Sequence, residues 1–418
     1  MALAYAITTG GTTLNKVWRK SQGKLLRVYQ TMVEEWSWLE KLQKYDVNIS
    51  AREITTPVDV SKPTRAAIIP EGGYEHNPAT PGLQEITLSW SNYNDRWTTT
   101  LTSRFLSRLG QDNKVIDQFK YQGMKAIEGL ARTVGTDFYG FSTGVLALNT
   151  TVATQASGAY TLGSGYGLAA ITNAAFIASL FTVGDRVALV RAGALVTNAI
   201  GTITAVTAGT PSITVTWNGS VTSANNDSVV PANNVENATL AGGTSFNLAL
   251  TGLLDITQSA SLHGLTDSNW VPGYSDTTGG RFTGGRLRKM KQGIANTGGG
   301  KLGRIIWSNG VSNDVFNLQQ GALRFNDPFA MELDGEAKAK GIAFSTSQRV
   351  PPGFMFGYDP DAIRAFSLVD FPEEGDVVWD DGDKLQDQNA FVFSVDFPLA
   401  MVCVNRRNTA YFSGLTEA

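Results

Sequence analysis

The sequence predicts an α+β fold built from several unlike segments. Three observations predict it: a helical periodicity over Gln111–Phe138, a pair of strand patterns over 51–103 that prolines interrupt, and a cluster of short alternating strands over 181–240. Residues 246–418 then alternate helical and strand patterns, which is typical of a mixed domain. With 418 residues, the chain is long enough for two or three domains.

The composition limits the classes of function. Charged residues make up only 17% of the chain, against about 25% in typical soluble proteins, so we expect part of the surface to be covered by other molecules. A net charge of -3 argues against a protein that binds nucleic acid tightly. The single cysteine, Cys403, excludes an internal disulfide and is expected to be a small apolar residue in a strand. No secretory signal and no membrane-spanning segment are predicted.

Residues 1–50 are predicted to form an arm with an amphipathic helix over Ser21–Tyr45. The apolar residues at helical spacing are Leu25, Val28, Met32, Trp36, Leu39 and Leu42. The start of this helix is basic. Two interpretations of these basic residues stay open. They form either a helix face exposed to solvent or an arm that faces phosphate groups or a scaffold.

The segment 51–103 is predicted to be a two-stranded ribbon. Pro57 and Pro63 interrupt its first strand, which indicates an edge or an isolated ribbon, and the returning strand alternates Ile86, Leu88 and Trp90 with polar residues. Between them lies a turn-rich tip. An isolated hairpin is marginally stable in water, so we expect this ribbon, which has little core of its own, to lie on another surface.

A helix over Gln111–Phe138 would form a rod of roughly 40 Å. Its stripe comprises Ile116, Phe119, Ala126, Ile127, Leu130, Val134 and Phe138. The glycines Gly123, Gly129 and Gly135 each weaken a free helix by about 1 kcal/mol, so we expect other elements to pack along it.

Residues 181–240 are predicted to be an inserted β module, closed as a small barrel or sandwich. Thr- and Ala-rich stretches at Asn149–Tyr160 and Asn237–Ser245 are interpreted as its linkers. After it, the segments LALTGLLDITQSASL and GGRLRKMKQGIA are predicted to be helices, the second stopped by Gly298, Gly299 and Gly300. The predicted strands are RIIWS, GIAFSTS, FMFGYD, AFVFSV, LAMVCV and TAYFSGL.

Catalytic motifs are weak in this sequence. Ser142 lies in a G-x-S-x-G pattern, but that pattern needs a strand before the serine, whereas here a helix is predicted there. His263 is the single downstream histidine that could act as its base, so a serine hydrolase is a remote alternative. His76 and His263 are far apart in the sequence, and neither a metal site nor a cofactor is expected. The acidic cluster Asp376, Asp380, Asp381 and Asp383 is interpreted as a solvated loop.

Three local stretches, taken in this order along the chain, resemble the major capsid protein of tailed bacteriophages, which has the Hong Kong 97 type fold. They are Ala67-Ile68-Ile69-Pro70-Glu71-Gly72-Gly73 followed by Ile86-Thr87-Leu88, then Ser103-Arg104-Phe105-Leu106-Ser107-Arg108, and finally Val404 to Leu415. The first is similar to that family's E-loop, the second to the start of its spine helix and the third to its closing strand.

The resemblance implies an order of segments. These are an N-terminal arm at 1–50, an E-loop at 51–103, a spine helix in the P-domain at 104–145, an A-domain with P-domain segments at 146–180 and 241–385, an inserted β-barrel-like domain at 181–240, and C-terminal strands at 386–418 that return to the P-domain and A-domain sheet. The implied inter-subunit contacts of the E-loop are Ile68, Ile69, Pro70, Glu71, Gly72, Gly73 and Tyr74. The implied packing residues of the spine are Ile116, Phe119, Ile127, Leu130 and Val134.

The resemblance also implies a function and partners. The chain would be a structural protein that assembles through pentamers and hexamers into an icosahedral shell around double-stranded DNA, which its inner face would contact non-specifically. Portal, scaffolding and decoration proteins would be its partners, without a membrane, and the virion capsid would be assembled in the host cytoplasm. Scaffolding would come from a separate protein or a removed leader. The alternatives are an encapsulin-like nanocompartment, the hydrolase using Ser142 and a phage tail or baseplate β protein; crosslinking through Lys62 is not expected.

Overall fold

The computed structural model describes residues 43–44, 53–60, 82–100, 118–235, 249–314, 338–339, 342–367, 383–384 and 390–417. The chain divides into two compact units. Unit 1 comprises Met1–Trp36, Asn92–Thr133 and Val369–Phe397, and unit 2 comprises Ser37–Ser91, Val134–Leu368 and Pro398–Ala418.

The regular elements are named here in chain order. The first strands are β1 (Gln43–Lys44), β2 (Glu53–Asp59), β3 (Leu83–Ser89), β4 (Ser91–Thr100), β5 (Ala147–Asn149), β6 (Thr154–Gly165), β7 (Arg186–Arg191), β8 (Ala194–Thr207), β9 (Ser212–Thr222) and β10 (Asp227–Pro231). The later strands are β11 (Tyr274–Asp276), β12 (Arg304–Trp307), β13 (Lys338–Ala339), β14 (Ile342–Thr346), β15 (Met355–Tyr358), β16 (Ile363–Ser367), β17 (Asp383–Lys384), β18 (Ala390–Cys403) and β19 (Thr409–Phe412). The helices are α1 (Gln118–Tyr139), α2 (Ala174–Ser179), α3 (Leu253–Gln258) and α4 (Gly284–Gly298).

The long helix α1 lies where the periodicity predicts it, and residues 111–117 of the prediction lie outside the described residues. Ala126, Leu130, Val134 and Phe138 are buried at the predicted spacing. The packing roles of Phe119 and Ile127 stay predictions, and Ile116 lies outside the described residues. The helix ends at Tyr139, and the backbone N–H of Gly140 bonds back to the carbonyls of Thr136 and Asp137.

In unit 1, β4 and β17 both pair with β18. Trp97 of β4 stacks on Phe393 of β18, with 5.8 Å between ring centroids. Because β4 belongs to this sheet, the stretch 91–100 is not part of the two-stranded ribbon that the sequence predicted for 51–103.

The ribbon itself consists of β2 and β3, which pair antiparallel from Glu53 opposite Ser89 to Asp59 opposite Leu83. One face of the ribbon is buried, including Val58 and Ile86. Leu88 of β3 packs against Phe366, Ala400 and Val402, so this end of the ribbon lies on another part of unit 2. The tip, residues 61–81, lies outside the described residues.

The inserted module is a closed barrel with the strand order β10-β5-β6-β9-β8-β7. It begins at Ala147, so the predicted boundary at 181 and the linker predicted at Asn149–Tyr160 are wrong. The small residues of β6 hide its strand pattern, yet its Tyr160 is fully buried and accepts a hydrogen bond from Trp217 Nε1 at 2.7 Å. The second predicted linker, Asn237–Ser245, lies outside the described residues.

The remainder of unit 2 contains a six-stranded mixed sheet in the order β11-β19-β15-β12-β14-β13. Helix α4 buries Met290 and Ile294 in a core with Ile305, Trp307 and Phe344. As predicted, α4 stops at glycine, because Gly299 adopts a left-handed conformation with φ 71.

Four predicted elements differ in extent from the observed ones. AFVFSV and LAMVCV form one strand, β18, whose two halves pair with different neighbours, β17 and β16, on either side of Pro398. The helix predicted for LALTGLLDITQSASL is confined to α3. The arm helix predicted to reach Tyr45 is contradicted at Gln43–Lys44, which form β1 and pair parallel with Arg364 and Ala365; the rest of that helix lies outside the described residues.

Candidate functional site

A polar pocket of about 340 Å³ lies in unit 2 where the end of the ribbon meets the loop after α1. Three polar residues line this pocket: Ser142 in the loop after α1, Asp255 of α3 and His263 in the loop after α3. The ribbon contributes Leu88 and Trp90, which also pack against a core formed by Phe366, Ala400 and Val402. The structure therefore brings together the two residues of the hydrolase alternative, with an aspartate beside them.

The hydrogen bonds of these three residues do not form a catalytic triad. The backbone N–H of Ser142 donates to Asp255 Oδ2 at 3.2 Å, and the Ser259 hydroxyl donates to Asp255 Oδ1. His263 Nε2 accepts from the backbone N–H of Cys403 at 3.1 Å. A neutral imidazole has one acceptor nitrogen, and here a backbone amide already occupies it, so His263 has no free lone pair to take a proton from Ser142. These hydrogen bonds instead hold together the loop after α1, the region of α3 with the loop that follows it, and strand β18.

Gly252 fixes the same region by close contact. A Cβ at this position would overlap the carbonyl oxygens of Asp137 and Gly140 at the end of α1. Only a residue without a side chain lets the start of α3 approach the end of α1 this closely.

His263 makes the stability of the subunit depend on pH. Burial lowers the pKa of His263 to about 4; Asp255 opposes the shift and Arg406 adds to it. The unfolded chain takes up this proton at pH ~6.5, so between pH 6.5 and 4 only the unfolded state gains it, and stability falls as the pH falls. We expect a loss of at most ~3 kcal/mol by pH 4.

Urea unfolding at pH 7 and pH 4.5 measures this loss, with His263→Gln as the comparison. Glutamine retains an acceptor for the Cys403 amide but does not titrate. The wild type should lose more stability than the variant over this range. Equal losses would show that His263 does not carry the effect, because the other titrating groups are common to both proteins.

Arg406 is the largest fully buried side chain described and joins separate parts of unit 2. Its guanidinium donates to the carbonyls of Ile256 at 2.6 Å, Ser259 at 2.6 Å and Trp270 at 2.9 Å. The neighbouring Arg407 donates to the carbonyl and side-chain oxygens of Asn269 at 2.7 and 2.8 Å. In the sequence, both arginines stand out only as part of the closing motif. The available signal was the pair of adjacent arginines between two strand patterns, which could have indicated side chains that bind backbone carbonyls inside the fold.

The remaining predicted site residues are distributed as follows. The E-loop contacts Ile68 to Tyr74, together with Lys62 and His76, lie outside the described residues. Cys403 is confirmed as a buried strand residue, and burial raises the pKa of its thiol to about 12. Within the described ranges, no group of acidic, His or Cys side chains is placed to hold a metal ion. No helix in these ranges is both long and apolar enough to span a membrane.

The chain is similar to solved structures of shell proteins. The capsid asymmetric unit of cyanophage A-1(L) matches 95% of this chain and 97% of its own, with a TM-score of 0.58 and 14% identity. The capsid of an empty GTA particle matches 99% and 100% with a TM-score of 0.48 and 10% identity. The SrpI encapsulin of Synechococcus elongatus PCC 7942 matches 96% and 95% with a TM-score of 0.47 and 8% identity.

No protein-family model and no curated protein matches the chain. The assignment of the fold rests on the cyanophage capsid, because it spans almost the whole chain at the highest of these three TM-scores. The chain has the Hong Kong 97 type capsid fold that the sequence predicted, with a closed six-stranded barrel inserted in it.

Proposed function

We propose that this chain is a major capsid protein that assembles through pentamers and hexamers into an icosahedral shell around double-stranded DNA. The observation that carries the proposal is the likeness to a phage capsid subunit along 95% of the chain. The ribbon supports it. Leu88 of β3 packs against Phe366, Ala400 and Val402 of the same unit, and β2 pairs along its whole length with β3.

The proposal includes partners and location. The E-loop tip, Ile68 to Tyr74, contacts an adjacent subunit. The packing of other elements against α1 makes each subunit more rigid. Portal, scaffolding and decoration proteins join the shell, and its inner face contacts DNA without sequence preference. The shell assembles in the host cytoplasm and becomes the capsid of the virion. No catalytic role is proposed, because His263 already accepts a hydrogen bond from the Cys403 amide.

Electron microscopy and light scattering of the purified protein test the proposal. We expect closed shells, or rings of five and six subunits. A compact monomer at every concentration and salt tested, with its scaffold protein also present, would contradict it. Two observations would instead indicate an encapsulin-like compartment. The shells would enclose a protein cargo, and the gene for this chain would lie beside the gene of a cargo enzyme rather than beside genes for a portal and a terminase.

The tip of the ribbon gives a sharper prediction. Changing Gly72 and Gly73 to Val should leave the subunit soluble but reduce the yield of shells, because adjacent glycines permit the positive φ angles of a sharp turn and Val resists them. The control is Gly209→Val in the β8–β9 turn, where a Cβ meets no atom within 4 Å. Shell yields that remain at the wild-type level in the double variant would show that the two glycines do not shape the tip.

A further inference from the structure

Helix α4 lies in a long stretch of the chain that contains basic residues but no acidic ones. Between Asp276 and Asp314 the sequence has no Asp or Glu, although the whole chain has 37 acidic and 34 basic residues. The basic residues of this stretch are Arg281, Arg286, Arg288, Lys289, Lys291, Lys301 and Arg304. The stretch is therefore a local concentration of positive charge in a chain whose net charge is -3.

Three of these cations lie on the solvent-exposed side of α4. Arg288, Lys289 and Lys291 are exposed, whereas Met290 and Ile294 of the same helix are buried. Each residue turns a helix by about 100°, so Lys289 and Lys291 lie on either side of Arg288. We name these three residues the basic face. The other exposed residues of the helix are Gly284, Gly285, Gln292, Ala295 and Asn296.

The charges of the basic face do not stabilise the helix itself. Acidic residues three or four positions away would pair with these cations, and the helix dipole favours cations in the last turn. Helix α4 contains no acidic residue, and its last turn contains no basic one. The three cations are therefore available to another group of opposite charge.

Asp276, at the start of the stretch, is engaged mainly by other groups. Its carboxylate accepts hydrogen bonds from the Thr278 hydroxyl and from the backbone N–H of Thr278, at 2.9 Å. The Thr278 hydroxyl lowers the pKa of Asp276 most, and the charges of Arg286 and Lys289 contribute less. Arg286 itself donates to two backbone carbonyls. One shared carboxylate thus leaves most of the charge on the basic face uncompensated.

The complementary charge is concentrated in one segment of the chain. We name residues 370–383 the acidic segment, because it contains seven Asp and Glu and no Lys or Arg. The seven are Asp370, Glu373, Glu374, Asp376, Asp380, Asp381 and Asp383. The segment lies outside the described residues except for Asp383. Its like charges repel one another, so a surface that carries cations is a favourable place for it.

The acidic segment begins at a distance from α4 of its own subunit. The last turn of α4 is held by Arg407, whose Nη1 donates to the carbonyl of Thr297 at 3.4 Å. Cys403, four residues before Arg407, pairs with the start of β16, and Leu399 pairs with its end. At about 3.3 Å per residue, β16 runs about 13 Å along β18 and away from Cys403 before the segment begins. This direction favours α4 of a second copy as the partner.

We propose that the basic face of α4 in one subunit binds the acidic segment of a second copy in the assembled shell. This inference rests on the proposed capsid function. Exposed ion pairs are weak one by one and are screened by salt. The contact therefore forms when the shell holds the two copies at high effective concentration, and it weakens as salt is added.

Charge reversal on each side tests the contact. Shells of Arg288→Glu/Lys291→Glu, and shells of Asp380→Lys/Asp381→Lys, should each dissociate at a lower urea concentration than wild-type shells, because like charges then meet. Shells assembled from an equal mixture of the two variants should regain part of the lost urea midpoint, because the reversed face of one chain meets the reversed segment of the other. A chain that carries all four changes should regain more of it.

The matched control is Arg186→Glu/Lys301→Glu. Both positions are exposed and lie outside the basic face, and the net charge changes by the same amount as in the α4 variant. Urea unfolding of each unassembled variant separates an effect on folding from an effect on assembly. If the Lys variant does not fold, Asp380→Asn/Asp381→Asn replaces it. The α4 changes should then weaken these shells less than they weaken shells with the natural segment.

The outcomes are distinct. Reversed variants whose shells are as stable as the control shells would overturn the contact. Recovery by the chain with all four changes, without recovery in the mixture, would show that the segment binds α4 of its own subunit and would overturn the assignment to a second copy. Loss of enclosed DNA in the α4 variant alone, without recovery by the segment changes, would assign the basic face to DNA instead. If the wild type forms no shells, the proposed function fails and not merely this contact.

Discussion

Replacing Arg406 by Met should lower the free energy of unfolding of the subunit by about 4 kcal/mol. Methionine fills a similar volume but cannot donate to the carbonyls of Ile256, Ser259 and Trp270; the bonds to Ile256 and Trp270 are buried, and the bond to Ser259 is part-buried. Each buried carbonyl left without a donor costs about 1–3 kcal/mol. Typical domains have only about 5–15 kcal/mol of net stability, so the variant should be close to unfolding at 37 °C.

Urea unfolding of the unassembled subunit measures this effect, and Arg288→Met is the matched control. Arg288 lies on α4 and is exposed, so the same change of side chain should alter the stability by less than about 0.5 kcal/mol. If the two variants unfold at the same urea concentration, then the three carbonyl bonds of Arg406 do not stabilise the folded state.

The parts of the fold that the sequence predicted are those with local signals. The long helix has a periodic stripe, with Leu130 and Val134 four residues apart, and α4 has a glycine stop at Gly299. The barrel strand β9 alternates clearly between apolar and polar residues, and β7 is a short apolar run. Strand β6 shows neither pattern, because its exposed positions are mostly Ala, Ser and Thr and its buried ones include only a few large residues such as Tyr160. Its residues were therefore interpreted as a linker.

The candidate site could not be predicted because it depends on contacts between residues far apart in the chain. Ser142 and Asp255 are 113 positions apart, and His263 and Cys403 are 140 positions apart. The sequence provided the identities of Ser142 and His263 but not the backbone amide that occupies the imidazole. Similarly, nothing local to Arg406 shows that three carbonyls from other segments converge on it. Such long-range pairing is the part of a fold that periodicity and motifs do not encode.

The barrel can be deleted without disturbing the rest of the subunit only if the deletion removes all six of its strands, β5 to β10. The chain enters and leaves it at adjacent points: the backbone N–H of Leu146 donates to the carbonyl of Val229 at 2.9 Å. Gly144, just before the barrel, lies against Asn234 and Ala249, which follow it. A short linker can therefore join the two ends without stretching the surrounding fold. The entropy of loop closure also changes by only about 0.6 kcal/mol per doubling of loop length.

Replacing Ala147–Pro231 with a short Gly-Ser linker should give a soluble subunit that unfolds cooperatively and still forms shells. Replacing 185–234, a cut within the 181–240 module that the sequence predicted, should give an insoluble subunit. That shorter deletion removes β7, β8, β9 and β10, so β5 and β6 lose their other neighbours and expose open strand edges beside Tyr160 and Leu162. Solubility, circular dichroism and electron microscopy of the two variants measure the difference. An insoluble product from the longer deletion would show that the barrel is required for the rest of unit 2 to fold, and a soluble product from the shorter one would show that β5 and β6 do not depend on closure of the barrel.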